Sequence, residues 1–124
     1  MNASDEERLR HMLDYAYEAL AFSNGVQREA LESNPVLLRA LSYDIGVIGE
    51  AASKLSPELR LKTPHIPWRA IVGTRNYLFH AYFQVDYDLL WDTVTSKLPV
   101  RNRIYLRLLS LPLKAESIHA CSGE

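Results

Sequence analysis

The chain has 124 residues, 48% hydrophobic and 23% charged, with a formal net charge of −1. That length suits one domain with a real core, and the composition is ordinary for a globular protein. It excludes a strongly basic nucleic-acid coat protein. No apolar run approaches the ~18 residues that a membrane-spanning helix needs. Met1-Asn2-Ala3-Ser4-Asp5-Glu6-Glu7 is acidic and polar, unlike a secretory signal. The single cysteine, Cys121, cannot form an intrachain disulfide, and no Cys/His cluster has zinc spacing, so no metal or cofactor is expected. These features point to a cytoplasmic protein with no membrane partner.

The first predicted element opens at Ser4-Asp5-Glu6-Glu7, which reads as a capping box with Ser4 as N-cap. Leu9, Met12, Leu13, Ala16, Tyr17, Leu20 and Ala21 follow at helical spacing, and Gly25 is a plausible stop. A short helical piece over 27–32 comes next. Asn34-Pro35 then supplies an N-cap with Pro at the first helical position. The helix behind it is apolar on more than one stripe up to Leu55, so it should be central. Gly46 and Gly49 inside it weaken it by roughly 1 kcal/mol each relative to Ala, which suggests a close approach by another helix. Ser56-Pro57 repeats the cap-and-proline signal for a short helix ending before Thr63-Pro64.

Ile66-Pro67-Trp68 launches a helix expected to run to about Tyr82, and Asp86 caps another bearing Leu89, Leu90, Trp91, Val94 and Leu98. Pro99 should break or kink that helix. Ile104, Leu106, Leu108, Leu109 and Leu111 mark a last one ended by Pro112. Neither a strand pattern nor a repeat is visible. The expected class is all-α: an antiparallel bundle of four to five helices, with one domain over 1–115 and a flexible tail over 116–124.

Charge is unevenly placed. Between Glu58 and Asp86 there is no acid, while Arg60, Lys62, Arg69 and Arg75 are present. Between Asp92 and Glu116 the same holds, with Lys97, Arg101, Arg103, Arg107 and Lys114. A near-neutral chain can therefore still present a basic face, although solvated helix faces read the same way.

Chemistry concentrates in Arg75-Asn76-Tyr77-Leu78-Phe79-His80-Ala81-Tyr82. A guanidinium that can grip a phosphate and an imidazole that can move protons near neutral pH suffice, in principle, for RNA cleavage without a metal. On a straight helix Asn76 and His80 would be aligned, as would Arg75 and Tyr82, while Arg75 and His80 would diverge by about 140°. One helix would then not aim both at one point. Either it unwinds near Ala81, or a second copy of the chain completes the site about a two-fold axis. Taken alone, the eight residues also admit a reading in which His80 is a satisfied core or interface histidine and Tyr82 packs with its hydroxyl in water. Glu50, among apolar neighbours in Ile48-Gly49-Glu50-Ala51, could pair with Arg75 or Arg69.

Five stretches together resemble one family. They are Ile48-Gly49-Glu50-Ala51-Ala52, Pro67-Trp68-Arg69-Ala70-Ile71-Val72-Gly73, Arg75-Asn76 through His80-Ala81-Tyr82, Val85-Asp86-Tyr87 with Trp91, and Leu98-Pro99. In order and spacing they are similar to the HepT-like toxins of the HEPN superfamily over residues 9–111. The resemblance implies a homodimeric, metal-independent endoribonuclease, the toxin of a toxin–antitoxin pair, with an Arg-x4-His-x-Tyr motif at the dimer cleft. It maps the catalytic roles to Arg75 and His80 with Asn76 beside them, and leaves Glu50 and Arg69 as supporting residues. It also implies a partner, a minimal nucleotidyltransferase antitoxin that silences the toxin by AMPylation of Tyr82. The competing expectation is a non-catalytic helical subunit that binds such a transferase.

Overall fold

In a computed structural model the backbone is described for residues 1–80 and 84–110, and the side chains of these residues are described except for Arg75, Tyr77, Leu78, Phe79, His80 and Gln84. The elements are α1 (Ala3–Ser23), α2 (Ala30–Ser33), α3 (Pro35–Ser53), α4 (Pro57–Lys62), α5 (Trp68–Leu78), a two-residue pairing of β1 (Phe79–His80) with β2 (Gln84–Val85), α6 (Tyr87–Asp92), a π-turn over Thr93–Lys97, and α7 (Leu98–Leu109). The class is all-α, as expected, with more helical segments than the four to five anticipated. The expected tail over 116–124, including Cys121, lies outside the described residues.

Local chemistry starts most helices. Asn34 accepts the Leu37 N–H at 3.1 Å, Ser56 the Leu59 N–H at 3.2 Å and Asp86 the Leu89 N–H at 3.0 Å, each satisfying a first-turn donor that the helix cannot pair. At α1 the expected box is not used. Asn2 is the N-cap and accepts the Asp5 N–H at 2.7 Å. Asp5 is buried instead against Ser56, accepting its backbone N–H at 2.9 Å and its hydroxyl at 2.6 Å. That clasp ties the start of α1 to the cap of α4. Past α1, Gly25 takes φ +73°, the left-handed region that suits glycine.

The apolar stripe of α1 (Leu9, Met12, Leu13, Ala16, Ala19) packs on α3, whose Leu41, Ile45, Ile48 and Ala52 are buried. Helix α3 also packs on α5, which explains its more than one apolar stripe, while α7 closes against α1. Gly49 is buried, but a Cβ on Gly46 would meet nothing within 4 Å, so among the described residues the close approach expected at Gly46 does not occur.

Helix α5 is anchored through Trp68, only 5% exposed. Its indole N–H donates to Thr63 Oγ1 at 2.8 Å, and the Thr63 hydroxyl donates to the Leu59 carbonyl at 2.7 Å. One face of the ring stacks on Tyr105 of α7, centroids 6.2 Å apart and planes 15° from parallel. Farther on, Pro99 neither stops nor separates the helices. It occupies the second position of α7, directly after the π-turn, in which Leu98 N–H reaches the Thr93 carbonyl. Widening the turn ahead of Pro99 relieves the clash its ring would otherwise make with the preceding helical carbonyls.

Replacing Trp68 with Phe keeps an aromatic face on Tyr105 but leaves the buried Thr63 hydroxyl without its donor. The unfolding free energy should fall by about 1–3 kcal/mol, read from urea titrations followed by circular dichroism. Trp68→Ala, which also empties the ring's volume, should cost about 3–5 kcal/mol.

Candidate functional site

The eight-residue motif straddles a change of structure. Arg75 and Asn76 lie in the last turns of α5, which stops at Leu78 rather than near Tyr82. Phe79 and His80 leave the helix and pair antiparallel with Gln84 and Val85, in the register Phe79 with Val85 and His80 with Gln84. Tertiary pairing thus replaces the helical continuation suggested by the apolar residues after Leu78. The alignment of Asn76 with His80 on one helix is not met, since His80 is in extended backbone; that of Arg75 with Tyr82 falls on Tyr82, which lies outside the described residues.

Of the candidate residues, Asn76 has an exposed side chain, and Arg69, seven residues earlier on α5, is exposed on nearly the same side of the helix. Glu50 is exposed on α3 and forms an ion pair with Lys54 one turn on, at 3.7 Å. The suggested pairing of Glu50 with Arg75 lies outside the described side chains, as do the side chains of Arg75 and His80. Among the described residues, no three His, Cys, Asp or Glu side chains gather as a metal-binding group, and no helix is long and apolar enough to cross a membrane.

The far side of the motif is held from outside. Asp86 caps α6, and Asp88 in its first turn takes a 2.6 Å ion pair from Arg28, which also pairs with Glu32 at 2.8 Å. Glu32 first, and then Asp88, raises the Arg28 guanidinium above the ordinary arginine value. Helix α5 is thus anchored at its start by Trp68, and α6 at its start by the Asp86 cap and the Arg28 pair.

One charged group the sequence did not single out lies between α1 and α3. Asp44 is fully buried, and neither carboxyl oxygen meets an N–H or hydroxyl donor among the described residues. Burial, with a further contribution from the Glu18 carboxyl of α1, raises its pKa to about 8. Glu18 can offer Asp44 only a share in the proton Asp44 itself retains. Beside them the Tyr15 and Tyr43 rings meet edge to face, centroids 6.0 Å apart, and Tyr43 chiefly, then burial, raises the Tyr15 phenol. The available signal was an acid at the centre of the apolar run Leu41 to Ile48.

In an unfolded chain Asp44 would lose its proton near pH 3.9. The folded state retains it to about pH 8, so stability should decline as pH rises across that window and level off above it. Asp44→Asn should match the native protein near pH 4 and exceed it by several kcal/mol, at most about 5, at pH 9, measured by urea unfolding at the two pH values.

Comparison with known proteins sets the sequence among relatives. The profile described as "Ribonuclease HepT-like" matches residues 12–107. A protein of Caldanaerobacter subterraneus subsp. tengcongensis, named as a putative RNase, is 35% identical over 91 residues, which is 73% of this chain and 81% of that one. A Methanocaldococcus jannaschii protein of the same designation is 34% identical over 91 residues, 73% of this chain and 75% of its own. One from Thermococcus cleftensis, named as a probable ribonuclease HepT, is 40% identical over 63 residues, 51% of this chain and 54% of that one. No solved structure matches the chain.

Proposed function

This chain belongs to the ribonuclease HepT-like family, and on that premise we propose that it is the toxin of a HEPN/nucleotidyltransferase pair, a metal-independent endoribonuclease acting as a homodimer. The observation that carries this reading is the end of α5 at Leu78. It separates Arg75 and Asn76, on the helix, from His80, in the extended segment, so the motif need not be aimed from one helical face.

The chemistry needs few groups because RNA supplies its own nucleophile. His80 takes the proton from a 2′-hydroxyl, the 2′-oxygen attacks the adjacent phosphorus, and the bond to the 5′-oxygen breaks. An imidazolium at the same position, or its counterpart in the second copy, protonates the leaving oxygen. Arg75 grips the phosphate and offsets the charge that accumulates on its oxygens. Asn76, exposed in the last turn of α5, orients a phosphate oxygen or the imidazole. Arg69 and Glu50 support the site from α5 and α3. AMPylation of Tyr82 by the cognate transferase places bulk and negative charge at the motif and excludes RNA.

Purified protein should cleave RNA in the presence of a chelator, leaving 2′,3′-cyclic phosphate or 3′-phosphate ends. His80→Ala should lower the rate by about 10²–10⁴-fold, and Arg75→Ala by about 10²–10³-fold, with helix content unchanged. Cleavage by His80→Ala at the native rate would remove His80 from the mechanism. Co-expression with the transferase should yield an adenylyl adduct on the peptide containing Tyr82, absent in Tyr82→Phe.

A further inference from the structure

Helix α7 carries Arg101, Arg103 and Arg107 and no acidic residue. The surrounding structure does not neutralise them. On other elements Arg10 pairs with Glu6 at 3.1 Å, and Arg28 pairs with Glu32 and Asp88. Lys97, on the π-turn leading into α7, pairs with Asp92 at 3.6 Å. Among the described residues no carboxylate lies within ion-pair distance of Arg101, Arg103 or Arg107.

Helix stability does not account for all three. A cation near a helix C-terminus is favoured by the aligned peptide dipoles, but the effect fades within the last turn, which contains only Arg107. Arg103 lies one turn earlier and is exposed on the same line as Arg107, next to Val100, which is 55% exposed. Arg101 is half-buried, one turn before the Tyr105 ring that Trp68 stacks on. Burial pulls its guanidinium below the ordinary arginine value, with only a small opposing influence from the Tyr105 phenol.

We propose that α7 is an RNA-backbone rail, with Arg103 and Arg107 holding successive phosphates of the substrate strand, outside the Arg75–His80 motif; Arg101, about 160° around the helix from Arg103, is not part of it. The rail rests on the ribonuclease reading for the identity of its ligand. Its chemistry is that of multiple guanidiniums and phosphodiester oxygens, for which arginine is better suited than lysine. Such contacts give affinity and direction along a strand without base preference, and they release condensed counterions, which makes them measurable through salt. A protein of net charge −1 can bind RNA this way because the positive charge is gathered on one helix.

The test uses the full chain and a fluorescein-labelled single-stranded RNA with 2′-O-methyl riboses, which binds but offers no 2′-hydroxyl for cleavage. Affinity is read by anisotropy across a salt series. Arg103→Gln with Arg107→Gln should lower the magnitude of the slope of log affinity against log salt by about 1.4. Affinity at low salt should fall roughly tenfold or more. The matched control, Arg8→Gln with Arg10→Gln on exposed α1, removes the same charge and should leave the slope unchanged.

An unchanged slope in the α7 double variant overturns the rail, as does an equal loss in the α1 control or an absence of binding by the native chain. Because the probe cannot be cut, these outcomes are independent of whether natural RNA is cleaved. Binding through α7 with no cleavage would sink the ribonuclease reading alone, and cleavage with an unaltered slope would sink the rail alone.

Discussion

A buried indole must satisfy its one N–H, and in this protein that requirement fixes where α5 begins. Trp68 donates to Thr63, Thr63 donates to Leu59, and the ring lies flat on Tyr105. Three segments distant in sequence (the end of α4, the start of α5 and the middle of α7) are thereby held in one arrangement. An apolar ring could fill the same volume, but without the hydrogen bond the Thr63 hydroxyl would be buried short of a partner. The placement of everything downstream, including the turn where α5 gives way to extended backbone, follows from that starting point.

Two buried aspartates show how far the surroundings can reverse the behaviour of one side chain. Asp5 receives an N–H and an O–H from Ser56, and its carboxyl serves as a clasp between α1 and α4. Asp44 receives neither and retains its proton to about pH 8. The first consolidates the fold at neutral pH; the second is tolerated by staying neutral. A buried carboxyl is therefore read from its donors, not from its burial.

What was legible in the sequence was chiefly what is decided within four residues. The caps at Asn34, Ser56 and Asp86, and the left-handed Gly25, each rest on a side chain or backbone bond to a near neighbour. The illegible parts had remote causes. Ser4 with Glu7 looks like a capping box, but Asp5 is engaged by Ser56, 51 residues away, and Asn2 caps the helix. The apolar periodicity runs on beyond Leu78, yet Phe79 and His80 are taken up by Gln84 and Val85. For the candidate site, the helical alignment of Asn76 with His80 was not legible, because it assumed a helix that ends at Leu78.

The π-turn at Thr93–Lys97 gives the end of the chain a different kind of freedom. A π-turn is an α-helix with one extra residue accommodated in a single turn. Absorbing that residue in one wide turn keeps α7 in phase with α6; the same residue added to an ordinary helix would rotate everything beyond it by about 100°. Tyr105 would swing away from Trp68, and the exposed arginines would move to another side of the molecule. The insertion is therefore a phase adjuster: one residue determines which azimuth of α7 faces the core and which faces solvent.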